Sequence, residues 1–352
     1  MTSGFTKNLL KWNSNSNFRD MPWKGEKDPY RIWLSEIILQ QTRVEQGRAY
    51  YQKFITEFPT IQNLAAATEQ KVFKLWEGLG YYTRCKNLIA SAKFISEELG
   101  GRFPDTYEAI RALKGIGPYT AAAIASFAFD KPHAVVDGNV IRVLARFFGI
   151  STPVSNSEGK KLYSLLAEAL LDKKQPAIYN QAIMDFGAVI CKPQQPLCSS
   201  CVQQSQCEAF RHNCISRLPV KEKVLQKKLR WFYYFIIEHN NHIYIRKRSD
   251  KDIWQNLYEF VLKEHNGLLP QNEISFETEL RTLLGEGQAD IQQVSKVYKQ
   301  QLSHQTIKGQ FITVRIYSPA LITGYEPVLR EEVVKYPFPK IISAWLFSQS
   351  AV

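Results

Sequence analysis

The 352-residue chain carries a formal net charge of +12 and a sequence pI near 9.3, with 45% hydrophobic and 22% charged residues. This balance excludes a disordered chain, and the lack of any apolar run near the roughly 18 residues that span a bilayer excludes a membrane span. The excess of positive charge favours a polyanionic partner such as nucleic acid, although a merely solvated surface can have the same composition.

The pattern is helical from about residue 28 to residue 210. The segment "DPYRIWLSEIILQQT" (28–42) places its apolar residues on one broad helical stripe, with Asp28 at the N-cap and Pro29 at the first helical position. The segment "YTAAAIASFAF" (119–129) is apolar on all faces, which is typical of a helix at the centre of a domain. We therefore predict a helical first domain over residues 1–210.

The pattern changes after residue 210. Residues 211–229 are rich in Lys and Arg and have little periodicity, which predicts a basic linker. "WFYYFIIEHNNHIYIRKR" (231–248) predicts two strands around an Asn-Asn turn, and "QFITVRIYSPA" (310–320) alternates apolar and polar residues. Residues 230–352 should therefore form a second, mainly β domain.

Four of the six cysteines lie in "CKPQQPLCSSCVQQSQC" (191–207). The first twenty residues lack the features of a signal peptide, so we expect a cytoplasmic protein, whose cysteines ligate a metal or act in catalysis rather than forming disulfides. Zn²⁺ and a [4Fe-4S] cluster both accept four thiolates, and the asymmetric C-x6-C-x2-C-x5-C spacing fits zinc less well. The expected ligands are Cys191, Cys198, Cys201 and Cys207; Cys85 and Cys214 are expected to be ordinary thiols.

A cysteine loop of this spacing after a helical domain resembles the helix-hairpin-helix DNA glycosylases of the endonuclease III superfamily. "LKGIGPYTA" (113–121) resembles their hairpin, and "VVDGNVIRVLAR" (135–146) their catalytic aspartate segment. "WLSEIILQQTRVEQG" (33–47), "GLGYYTR" (78–84) and the extra C-terminal domain are similar to the adenine DNA glycosylases of the MutY type. The resemblance implies a mainly α catalytic domain with an iron-sulfur cluster loop, followed by an α+β Nudix-like domain.

Two carboxylates could perform base removal, which requires a proton for the leaving purine and negative charge near the sugar. Glu36 lies in an otherwise apolar helix, where its charged form is disfavoured. Asp137 precedes Gly138 at a junction between strand and helix, where helix capping is the alternative role. The resemblance implies that Glu36 is the general acid at adenine N7, that Asp137 stabilises or captures the sugar cation, and that Tyr119 assists Glu36.

The position of Tyr119 also bears on strand cleavage. Relatives that cut the strand have a lysine at this place, because a Schiff base needs an amine. Tyrosine predicts a monofunctional enzyme that leaves an abasic site, while nearby Lys114 leaves weak lyase activity open.

The DNA contacts begin with Gly115 and Gly117, which permit a tight turn whose amides can face a phosphate. The target base must leave the stack to be reached. The resemblance implies that Gln41 and Thr42 face the opposite strand near Leu79, and that Tyr81 wedges beside the lesion guanine. It also implies that Gln181 lines the adenine pocket, where its amide can pair with the base; a buried glutamine that satisfies backbone groups is the alternative.

The C-terminal domain resembles the Nudix hydrolases but lacks their glutamate-rich signature, so we expect it to recognise a base rather than to hydrolyse. In "QQLSHQ" (300–305), Ser303 and His304 match the loop that senses 8-oxoguanine, with Leu302 where the family commonly has Phe.

These features together predict a monomeric adenine DNA glycosylase that acts on double-stranded DNA with adenine opposite 8-oxoguanine or guanine. A glycosylase for oxidised pyrimidines or mismatched thymine is one rival, although such relatives generally end soon after the cluster. A catalytically inactive DNA-binding protein with a zinc knuckle is the other.

Overall fold

The computed structural model describes residues 2–220, 227–265, 267, 273–285 and 288–349. The chain divides into two compact units, the first formed by Met1–Ala66 and Lys86–Lys223 and the second by Ala67–Cys85 and Val224–Val352. Residues 221–226 of the predicted linker lie outside the described residues. None of the described helices combines the length and apolarity needed to cross a membrane.

Helices dominate residues 2–211, as predicted. In chain order the helices are α1 (Thr2–Ser16), α2 (Pro29–Leu39), α3 (Val44–Glu57), α4 (Ile61–Ala66), α5 (Glu69–Trp76), α6 (Tyr82–Glu97), α7 (Tyr107–Ala112), α8 (Pro118–Phe129), α9 (Gly138–Phe148), α10 (Ser157–Leu170), α11 (Pro176–Val189) and α12 (Glu208–Arg211). Of these, α5 and the start of α6 belong to the second unit.

Helix α2 begins as its sequence predicts. The side chain of Asp28 accepts a hydrogen bond from the backbone N–H of Tyr30 at 2.9 Å, and Pro29 is the first helical residue. The helix ends at Leu39 rather than continuing to Thr42, because Gln41 has a φ of 56°, in the left-handed region. The last residues of the predicted helical segment therefore form a turn.

The core of the first unit lies where α1, α8, α9 and α11 meet. Phe5 of α1, Leu144 of α9 and Phe186 of α11 are buried in it, and α8 is buried from Thr120 to Ser126. Helices α9 and α11 come very close at Gly187, where an added Cβ would lie 2.9 Å from the backbone oxygen of Asn139. A residue without a side chain is therefore required at this crossing.

The second unit contains a mixed sheet. Its described strands are β1 (Lys228–His239), β2 (His242–Lys247), β3 (Tyr258–His265), β4 (Ala289–Val294), β5 (Tyr298–Gln301), β6 (Gln305–Ile316) and β7 (Glu326–Leu329), with helices α13 (Glu273–Leu284) and α14 (Lys340–Gln349). The order is β4-β6-β1-β3-β2-β7, with β5 paired to β6 and the long strands β1 and β6 parallel.

The strand predictions for this unit are confirmed. Strands β1 and β2 meet at Asn240 and Asn241, whose φ angles of 44° and 63° suit a tight hairpin turn. The alternating residues Ile312, Val314 and Ile316 are buried against one face of the sheet. The sheet and its helices form the predicted α+β domain.

Candidate active site

A cavity of about 410 Å³ opens in the first unit, within the size range of small-molecule sites. Four of its polar side chains come from separate elements: α2 supplies Glu36, α8 supplies Tyr119, the residue before α9 is Asp137, and α11 supplies Gln181. Thus the structure brings together all three predicted catalytic residues and the predicted base-lining glutamine.

Glu36 is buried on α2 with 7% of its surface exposed. Burial raises the pKa of its carboxyl to about 7; the hydrogen bond with Tyr119 opposes this shift, and the negative charge of Asp137 adds to it. The side chain can therefore keep its proton near neutral pH, as its place in an apolar helix predicted.

Asp137 both caps α9 and lines the cavity. Its Oδ1 accepts a hydrogen bond from the backbone N–H of Val140 at 2.7 Å, and its Oδ2 accepts one from Asn139 Nδ2 at 2.7 Å. Burial raises the pKa of Asp137, while these hydrogen bonds lower it by stabilising the charged form. Capping and a role in the cavity are thus compatible, because the cap fixes the direction of the carboxylate.

Tyr119 lies in the first turn of α8, beside Glu36. Its hydroxyl is 3.6 Å from Met184 Sδ, and burial together with the charges of Glu36 and Asp137 raises the pKa of the phenol well above its usual value. The phenol is therefore neutral and can exchange a hydrogen bond with Glu36. Lys114 in the preceding hairpin is exposed.

The hairpin between α7 and α8 is closed by glycines. Gly115 has a φ of +82°, and a Cβ there would lie 2.7 Å from Asn87 Cβ, so both the turn and the close approach need glycine. Gly117 is the N-cap of α8 and makes no side-chain cap, so the first N–H groups of the helix remain available to an anion.

The turn after α2 carries two of the predicted DNA-binding residues. Gln41 is exposed with its backbone in the left-handed region, and Thr42 lines the cavity. The predicted DNA contacts of both residues stay predictions.

The second unit brings Tyr81 and Ser303 together. Tyr81 is 44% exposed with a φ of 49°, and its hydroxyl lies 2.6 Å from Ser303 Oγ. His304 is exposed next to Ser303 in the turn between β5 and β6. Leu79 is 6% exposed, and its predicted DNA contact stays a prediction.

The four cysteines of residues 191–207 lie close enough to one another to interact electrostatically. Burial, together with the smaller effect of the other three cysteines, raises the pKa of the Cys201 thiol to about 11. Arg146 of α9 donates to Cys191 Sγ at 3.4 Å and to the Lys192 carbonyl oxygen at 2.8 Å. Among the described residues, no group of three His, Cys, Asp or Glu side chains is placed to hold a single metal ion.

Several residues that shape these sites were not predicted from the sequence. Asn139 orients Asp137, and Arg146 holds the cysteine loop. Arg19 and Lys24 line the cavity and pair with the buried Asp185. The sequence could have indicated the contact between Gln181 and Asp185. They lie four residues apart on one helix, and residues at that spacing are neighbours on a helix face.

Comparison with known proteins adds independent findings. Residues 34–168 match the family model of the HhH-GPD superfamily base excision DNA repair proteins, and residues 232–346 match that of the NUDIX domain. The chain is 36% identical over 259 residues to the adenine DNA glycosylase of Buchnera aphidicola subsp. Baizongia pistaciae, covering 73% of each chain. It is 42% identical over 217 residues to the adenine DNA glycosylase of Homo sapiens, covering 59% of this chain and 39% of the human protein.

Two solved structures resemble the helical part. A thermostable thymine-DNA glycosylase matches with a TM-score of 0.55 and 31% identity, covering 60% of this chain and 97% of that one. A trapped complex of endonuclease III with DNA matches with a TM-score of 0.52 and 18% identity, covering 60% of this chain and 98% of that one, which shows a shared fold.

Proposed function

Because the chain belongs to the adenine DNA glycosylases of the HhH-GPD base excision repair superfamily, we propose that its substrate is double-stranded DNA with adenine opposite 8-oxoguanine or guanine. The observation that carries this proposal is the pairing of Glu36 and Asp137 in one cavity, with the pKa of Glu36 raised to about 7. A proton donor and a carboxylate that can face a sugar cation are the two groups that glycosidic hydrolysis needs.

The proposed reaction starts with adenine extruded into the cavity. Glu36 donates its proton to N7 of adenine, and the bond between the base and the sugar breaks with its electron pair leaving on the base. Asp137, held by Val140 and Asn139, faces the positive charge that develops at the sugar. Water then adds to the sugar carbon and loses a proton, which leaves an abasic site.

Tyr119 supports a monofunctional reaction. Its neutral phenol can hold the Glu36 proton in place, and it has no amine with which to form a Schiff base. Lys114 in the neighbouring hairpin is an amine that could form a Schiff base. Strand cleavage without alkali is therefore measured directly.

The preference for 8-oxoguanine is assigned to the second unit. The hydrogen bond between Tyr81 and Ser303 holds an exposed aromatic ring beside a polar loop. The left-handed backbone of Tyr81 is strained for a non-glycine residue, and such strain is concentrated at functional sites. The hydrogen bond is explained if Tyr81 wedges beside the lesion guanine while the loop that contains Ser303 recognises it.

The four cysteines are assigned to a [4Fe-4S] cluster with a structural role. Four neighbouring cysteine side chains are the donor set that a [4Fe-4S] cluster takes. The cluster would crosslink the loop, because hydrolysis itself transfers no electrons. Zn²⁺ is the alternative metal, and measuring the iron and zinc content of the purified protein distinguishes the two.

A single-turnover excision assay tests this proposal. It uses three duplexes, which contain adenine opposite 8-oxoguanine, adenine opposite guanine, and thymine opposite guanine. Each duplex is analysed with and without alkali treatment. Strand breakage only after alkali, on the adenine duplexes alone, supports the proposal. Breakage without alkali contradicts the monofunctional reaction. Loss of thymine instead of adenine supports the mismatched-thymine rival, and tight binding without base loss supports the inactive DNA-binding protein.

A further inference from the structure

One buried carboxylate behind the cavity has no part in the mechanism above. Asp185 of α11 has no exposed surface. Its Oδ1 accepts hydrogen bonds from Arg19 Nη1 at 2.7 Å and Gln181 Nε2 at 2.9 Å. Its Oδ2 accepts from Asn17 Nδ2 at 2.9 Å and lies 3.1 Å from Lys24 Nζ. Four donors therefore fix this carboxylate in one orientation.

Three of these four donors also line the cavity. Arg19, Lys24 and Gln181 face it, whereas Asp185 lies behind them and does not contribute to its wall. Removing the carboxylate would leave two partly buried cations without their counter-charge, which is strongly unfavourable. Asp185 thus organises a wall of the cavity without touching its contents.

The bond to Asp185 determines which end of the Gln181 amide faces the cavity. The carboxylate of Asp185, which pairs with Arg19 through Oδ1 and with Lys24 through Oδ2, accepts hydrogen bonds, so the NH₂ end of Gln181 must point to Oδ1. The carbonyl oxygen is then the end left for the cavity, and none of the described residues donates to it. An acceptor at this place suits the exocyclic amine of adenine and opposes the carbonyl at the same position of guanine or hypoxanthine.

We propose that Asp185 is a positioning residue that determines purine selectivity by presenting the carbonyl oxygen of Gln181 to the amine of the extruded base. The inference rests on the proposed function, because it requires adenine in this cavity. Without the carboxylate, the amide of Gln181 is free to turn and offers either end to the base.

The test compares single-turnover excision of adenine and of hypoxanthine, each placed opposite 8-oxoguanine. Asp185→Asn should lower the ratio of the adenine rate to the hypoxanthine rate by at least about fivefold, the lower end expected for one base-edge contact. A purely structural role would lower both rates together and leave the ratio unchanged, which overturns the proposal. Asp20→Asn is the matched control, because Asp20 is 89% exposed next to Arg19 and should change neither rate.

A second variant keeps the proposal testable if Asp185→Asn does not fold. Gln181→Met has no carbonyl oxygen to present and must lose the same selectivity; an unchanged ratio overturns the proposal. In the double variant the two losses should not add, since both remove one contact. Wild-type protein that leaves adenine in place would overturn the proposed function itself, whereas active wild-type protein with unchanged ratios in both variants overturns only this inference.

Discussion

Replacing Glu36 by Gln should abolish most excision and yet stabilise the protein at alkaline pH. The pKa of Glu36 is about 7 instead of the ordinary 4.5, so ionising this carboxyl costs roughly 3 kcal/mol more in the folded than in the unfolded chain. The pKa is raised by folding, so the destabilisation is absent below about pH 4.5, grows as the pH rises to about 7, and is complete above it. Gln keeps the shape of the side chain and removes this cost.

The expected results follow in two assays. Urea unfolding should show Glu36→Gln to be more stable than wild type by up to about 3 kcal/mol near pH 8.5, with the difference close to zero near pH 4. Single-turnover excision should fall by about 10²- to 10⁴-fold, the usual contribution of a general acid. The wild-type rate should itself decline as the pH rises through about 7.

The matched control is Glu45→Gln, the same change on an exposed site of α3, which should alter neither quantity appreciably. Two results would refute the reasoning: excision by Glu36→Gln within tenfold of wild type, or a stability difference that is the same at both ends of the pH range.

Three further changes test the other assignments. Asp137→Asn should lose most excision while costing less than about 1 kcal/mol of stability, because Asn is also a good N-cap; a large stability loss in thermal unfolding would show that capping is its main role. Cys198→Ser should lower the bound iron and the visible colour measured on purified protein, whereas Cys214→Ser should retain both, and equal iron in the two would contradict the ligand assignment. Ser303→Ala removes the bond to Tyr81 and should reduce the ratio of excision rates opposite 8-oxoguanine and guanine by a few-fold; equal losses on both duplexes would argue against a reading role.

Capping and turn residues in the sequence were sufficient to predict where a helix begins and where a hairpin turns. Asp28 and Pro29 start α2 because a capping side chain and a fixed φ act within one turn of helix. Asn240 and Asn241 form the hairpin because few other residues tolerate positive φ. The raised pKa of Glu36 was likewise predictable, since an acidic residue in an apolar helix has little choice of surroundings.

Contacts between distant segments could not be predicted in the same way. Nothing near Arg19 in the sequence indicates that it meets Asp185, 166 positions away. The burial of Leu79 and the bond between Tyr81 and Ser303 likewise depend on how separate segments pack. The family resemblance supplied roles for individual residues, but the partners that hold them in place come from the fold.

The close contact of α9 and α11 at Gly187 limits which substitutions the enzyme can accept at this position. A larger residue would meet the Cβ and the main chain of Asn139, and no change of rotamer moves these atoms. Even one methyl group must therefore push α11 away from the start of α9. Gln181 lies on α11 and Asp137 caps α9, so widening the separation of these helices would move two walls of the cavity relative to each other. The width of the cavity between α9 and α11 thus depends on the missing Cβ of Gly187. A substitution there would touch no candidate catalytic group and is expected to slow catalysis by misplacing Asp137 relative to Gln181.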